Sequence, residues 1–141
     1  MNGLEYYFWL AIQALQVLVL FPPAALLMFV GVIGTVASVQ FLPPDRRRRA
    51  TAAILIPMAL PAAILLCGAL LVHDTDLDSL APRWPEWLIG GLLLAHLPVA
   101  GLLVWRVRGA RWVALFSSMA VASYSCGAAF MSTMSVSGRW L

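Results

Sequence analysis

Charged side chains divide the chain into long silent blocks. Residues 6–44 carry no charge, 50–72 are apolar, 87–105 run from Trp87 to Trp105, and 112–138 lie between Arg111 and Arg139. Within each block the apolar residues are continuous and do not alternate, so they read as helices and not as strands of a closed barrel. About 20 apolar residues cross a hydrocarbon core roughly 30 Å thick. The last three blocks each fit one crossing.

The first block is too long for one. A single helix over residues 4–42 would measure about 58 Å. Fitting it would need a tilt near 60°, beyond the usual range of about 0–40°. Pro22-Pro23 resolves the excess, because proline removes a donor and disfavours helix in the residue before it. The expectation is a separate helix over 4–20 and a crossing over 24–42. Glu5, Gln13 and Gln16 fall within about 80° of one another on a helical wheel. This weak polar face favours a surface or protein-packed helix over a fifth crossing. The fold class expected is an all-α integral membrane protein. It is a four-helix transmembrane bundle, one domain over 1–141, with core spans near 24–42, 50–73, 87–105 and 112–134 and the additional N-terminal helix broken off at Pro22-Pro23.

Composition agrees: of 141 residues, 62% are hydrophobic and only 11% charged. A soluble domain carries roughly twice that share of charge. The net charge of +3 invites a nucleic-acid reading. That binding needs an exposed basic face on a soluble module, so no nucleic-acid partner is expected. The lipid bilayer is the first partner, with other membrane subunits or self-association next.

The arginines then acquire a role. Arg46, Arg47, Arg48 and Arg49 lie between the first two core spans, and Arg106, Arg108 and Arg111 between the last two. Alternating spans put all seven on one side, leaving Arg83 and Arg139 on the other. Positive charge in short loops marks the cytoplasmic face of the inner membrane. The acidic loop of residues 73–86 and the C-terminus then face outward. Trp84, Trp87 and Trp140 fall at the outer boundary and Trp105 and Trp112 at the inner one, as an aromatic belt requires. The seven arginines can also touch anionic lipid heads. Asp45 offers an N-cap for the second span. With no basic N-terminal region or small-residue cleavage site, a cleavable signal peptide is not expected.

Candidate chemistry is sparse. His96 falls mid-span, about 14 Å from either face. An ionisable residue there is a functional candidate by default. It could relay a proton, ligate a haem, bond a quinone, or simply hydrogen-bond Ser123, Tyr124 or Ser125 on the fourth span. Neither haem nor quinone is required, and no cofactor is the simplest expectation. His73, Asp74, Asp76 and Asp78 resemble the opening of a calcium loop. Ser79 stands where its glycine belongs and Pro85 where its glutamate belongs, so they are weak metal candidates. Cys67 and Cys126 read as small buried packing residues, although a bridge between their helices is conceivable.

Pro57 and Pro61 should break the second span, and Pro98 the third. Small residues crowd the fourth span, with Gly31 and Gly34 in the first and Gly90, Gly91 and Gly101 in the third. They permit close backbone contact within the bundle or against a partner. No nucleophile elbow, phosphate loop or carboxylate pair is present, so enzymatic activity is not expected. The role expected is a non-enzymatic accessory or assembly subunit of a membrane complex. The alternatives are a small oligomeric transporter or pore using Pro57, Pro61 and His96, and a haem- or quinone-binding redox subunit using His96.

Overall fold

A computed structural model describes residues 3–71 and 83–137. These are all-helical, with α1 over Gly3–Leu20, α2 over Pro22–Gln40, α3 over Pro44–Leu70, α4 over Trp84–Leu94, α5 over His96–Arg106 and α6 over Arg111–Ser137. Counting α4 and α5 as one rod, five helices are long and apolar enough to cross a membrane.

Proline sets most of the boundaries. Pro22 and Pro23 occupy the first two positions of α2, where a missing N–H costs nothing. Phe21 leaves the helical region (φ −113, ψ 82) and separates α1 from α2. Pro44 likewise opens α3, with Pro43 as its N-cap. Asp45 is therefore not the cap: it falls inside the first turn, two residues after the cap. The helix thus extends about two turns ahead of Ala50, where the expected crossing begins. Arg46 to Arg49 are helical, and all four are exposed. Pro98 has no N–H for the Leu94 carbonyl, and the rod turns at Ala95 between α4 and α5.

α6 is the centre. In its most apolar stretch 56% of residues are buried, against 6% for α2. α3 runs parallel to it: Ser117 meets Ala53 and Ser132 meets Gly68, the same offset of 64 residues (117 − 53 and 132 − 68). α2 runs antiparallel, with Ala24 near Gly127 and Gly31 on Ala120. The α4–α5 rod is also antiparallel, with His96 on Ser125 and Leu103 beside Ala114.

α1 behaves differently. Its contacts, with that of Phe21 just past its end, run from Tyr6 on Ser135 to Phe21 on Phe130. From Tyr6 to Phe21 is about 22 Å of helix, whereas Ser135 to Phe130 is about 7.5 Å. So α1 passes obliquely across α6 and stays beside the C-terminal half of that helix. It is packed against protein, with Leu10 and Ala14 fully buried.

Candidate functional site

The polar groups of the interior lie mainly along α6. At its first third, Ser117 Oγ donates to the Ala53 carbonyl of α3 at 3.1 Å. That carbonyl would normally receive the N–H of residue 57, which is proline. Ser117 thus offers that carbonyl a donor in place of the N–H that Pro57 lacks, its single proton shared with the Ala114 carbonyl of its own helix at 3.2 Å. At the other end, Ser135 Oγ donates to the Gly68 carbonyl at 2.8 Å. Gly68 is close to the C-terminus of α3, where carbonyls lack helical partners. Ser135 has one proton and the carbonyl takes it. Tyr6, 2.8 Å away, must then donate to Ser135. This chain ties α1, α6 and α3 together.

His96 occupies the middle. It is 5% exposed. Its Nε2 lies 2.9 Å from Ser125 Oγ and its Nδ1 3.3 Å from the Leu93 carbonyl. Ser125 Oγ also lies 2.9 Å from the Val121 carbonyl. Of the three hydroxyl residues expected near it, only Ser125 meets His96. Ser123 turns back to Met119 O at 2.9 Å, and Tyr124 reaches Ala11 O of α1 at 3.2 Å. The buried hydroxyls of Ser118 and Ser132 have no partner.

The other expected residues scatter. Pro57 and Pro61 are buried within α3, which continues through both where a break was expected, because losing single ladder bonds does not end a helix held on both sides. Pro22, Pro23 and Pro98 are exposed. Cys67 and Cys126 are both free, and Cys126 is exposed, contrary to its expected burial. It borders an apolar hollow of about 290 Å³ with Leu18, Phe21 and Pro23, left where the chain breaks between α1 and α2. His73, Asp74, Asp76 and Asp78 lie outside the described residues. Among the described residues no three of His, Cys, Asp and Glu converge as a metal site would need.

Glycines separate into two sets. A Cβ on Gly31 would come within 2.7 Å of the Ala120 backbone, one on Gly68 within 2.5 Å of Ser132, and one on Gly127 within 2.5 Å of the Ala14 carbonyl. Around Gly90, Gly91 and Gly101 the same Cβ would meet nothing within 4 Å. Gly91 and Gly101 are exposed, on a line with Trp87, Leu94, Pro98 and Trp105 spaced alternately four and three residues apart. That spacing gives one face of the α4–α5 rod.

Neither the Ser117–Ala53 nor the Tyr6–Ser135–Gly68 tie was expected. Half of the first was available, because Pro57 identifies the carbonyl it frees. No comparable signal identifies the donor. Comparison with known protein families, curated proteins and solved structures finds no match.

Proposed function

We propose that this chain is a multi-pass inner-membrane protein whose α2, α3, α4–α5 and α6 cross the bilayer, with α1 packed obliquely over the outer half. The arginine loops are cytoplasmic, and the acidic loop and C-terminus lie outside. Its role is that of a non-enzymatic accessory subunit that packs against another membrane helix.

The observation that carries this reading is the division of the glycines. Gly31, Gly68 and Gly127 each let two helices of this chain approach closely. Gly91 and Gly101 offer the same notch outward, with none of the described residues in it. Lipid tails are as apolar as leucine, so a small-residue face is a packing device, not a hydrophobic one. A partner helix gains van der Waals contact there that lipid supplies less well.

The pore and redox alternatives receive less support. A broken helix that lines a polar path leaves freed carbonyls facing a cavity. Here the carbonyl freed by Pro57 accepts from Ser117. An iron ligand needs a ring nitrogen to spare, and both nitrogens of His96 face partners inside the bundle.

The test substitutes Gly91→Leu and Gly101→Leu, then compares co-purification from native membranes and size in detergent. Partners or self-association should be lost while the isolated chain keeps its helicity and thermal stability. Unchanged assembly in both variants would remove the reading. Topology is checked separately by cysteine labelling at Ser79 and Arg108. Position 79 should react from outside, and reagent reaching position 108 from outside would reverse the orientation.

A further inference from the structure

The arginine end of the bundle is not a uniform cloud of charge. The loop between α5 and α6 turns at Gly109, whose φ of +95 is the one positive value among the described residues. This backbone conformation suits glycine. The turn brings Gly109 beneath Arg46 of α3, so that a Cβ there would lie 2.8 Å from the guanidinium Nη1. On the α2 side the same loop borders a groove of about 450 Å³ lined by Ser38, Phe41, Leu42, Gly109, Ala110, Arg111 and Trp112.

The groove has two kinds of wall. Arg111 and Ser38 are its polar residues, and Arg46, just outside the lining, brings a second guanidinium against Gly109 at its edge. Phe41 and Trp112 are large, apolar and 86% and 67% exposed. Asp45 is the single acid in the two linkers that carry seven arginines. No ion pair among the described residues engages Arg46 or Arg111. Ala110, immediately before α6, has no side-chain acceptor for the first free N–H groups of that helix.

We propose that this groove holds the head of one anionic phospholipid. Its phosphate lies between Arg111 and Arg46, and its glycerol and upper acyl carbons lie against Phe41 and Trp112. Guanidinium suits a phosphate through paired donors. The exposed aromatic wall favours a lipid over a free anion, because inorganic phosphate would leave that wall unused. The proposal rests on the membrane reading above, and it adds to it a discrete site where composition alone implies only diffuse attraction.

The full chain is reconstituted into phosphatidylcholine vesicles containing increasing brominated phosphatidylglycerol. Trp112 fluorescence is taken as the difference from Trp112→Phe. Quenching should saturate at a low fraction of the anionic lipid. A basic residue at the surface contributes about fivefold. Arg46→Gln and Arg111→Gln should each weaken the response by at least that factor. Arg47→Gln and Arg48→Gln, which neither line the groove nor stand against Gly109 as Arg46 does, should change it by less than about twofold. Equal losses in all four variants would mean diffuse charge and overturn the site. Displacement by millimolar inorganic phosphate would overturn the choice of a lipid. A chain that fails to enter vesicles would overturn the membrane reading itself, which separates that failure from failure of the site.

Discussion

Compare α6 with α2. α6 carries serine at positions 117, 118, 123, 125, 132, 135 and 137, and it is the most buried helix. α2 is rich in leucine, valine, isoleucine and phenylalanine, and Gly31 is its one buried residue. In a water-soluble bundle the order would be reversed, because burial there follows hydrophobicity. Here the more polar helix is inside and the more apolar one outside. Where the solvent is hydrocarbon, an interior position is decided by how closely a helix can be approached and by what its hydroxyls can bond. α6 offers both, with Ser117, Ser125 and Ser135 bonded to neighbouring helices and Gly127 against α1. α2 offers a notch at Gly31 and Gly34 and otherwise an apolar surface.

Enlarging the small residues of α6 should break this contrast most severely. Gly127 faces the backbone of α1, which cannot swing aside as a flexible side chain can. Gly127→Leu should therefore separate α1 from α6 and cost about 1–3 kcal/mol, the usual range for overpacking. Thermal unfolding in detergent measures the loss. The same substitution at Gly91, where nothing lies within 4 Å, should leave that transition in place. A Gly127→Leu protein as stable as the original would mean that close approach does not hold α1.

The hydroxyls come next. Ser117→Ala removes the donor to the Ala53 carbonyl, which Pro57 has already deprived of its helical partner. Polar contacts inside membranes average about 0.6 kcal/mol and reach about 1.7. This one belongs within that range, because no neighbouring N–H replaces it but its proton is shared with the Ala114 carbonyl. Pro57→Ala restores the N–H, so Ser117→Ala should cost little in that background. Non-additivity of at least about 0.5 kcal/mol in the double-mutant cycle is the expected outcome. Additive costs would mean that Ser117 acts through packing alone.

Ser117 also shows how much was legible in advance. The helices were, because continuous apolar blocks and prolines are local signals. So was the break at Pro22-Pro23, which carries its own steric cause. The cap of α3 was misplaced at Asp45, because a capping side chain was sought where Pro43-Pro44 sets the first turn by its fixed backbone. The four-span count was weighed on a faint polar face. α1 instead shows its character in contacts with Gly127, Phe130 and Ser135, more than 100 residues away in sequence. The partners of His96, Ser117 and Tyr6 likewise depend on the offset between helices, which no local pattern encodes. His96 itself stood out because it is an imidazole among aliphatic neighbours.

His96 should have a smaller structural effect than Gly127 or Ser117. In His96→Leu, Ser125 keeps its contact with the Val121 carbonyl, so no hydroxyl is stranded. The expected cost is about 0.6 kcal/mol, the average for such contacts. His96→Gln retains a donor and an acceptor and should cost less still. Partner co-purification from native membranes should be unchanged in both. Loss of a partner or of an activity in both variants, with stability intact, would move His96 from a helix tie to a proton or ligand site.

The smallest effect is expected on the outer face of α2, where the two environments can be compared within one helix. Phe29 is 63% exposed, as is Leu26, and in a bilayer both would touch lipid tails. Phe29→Leu exchanges one apolar contact with hydrocarbon for another. It changes no helix–helix distance and leaves no polar group without a partner. The expected change in thermal unfolding corresponds to less than about 0.5 kcal/mol, the usual limit for substitutions away from packed features. Gly31→Leu lies only two residues away, against the Ala120 backbone, and should cost several times more. Similar losses at positions 29 and 31 would show that the outer face of α2 is also packed against protein. The outside of the bundle would then have to be redrawn to include a partner on α2 as well as on the α4–α5 rod.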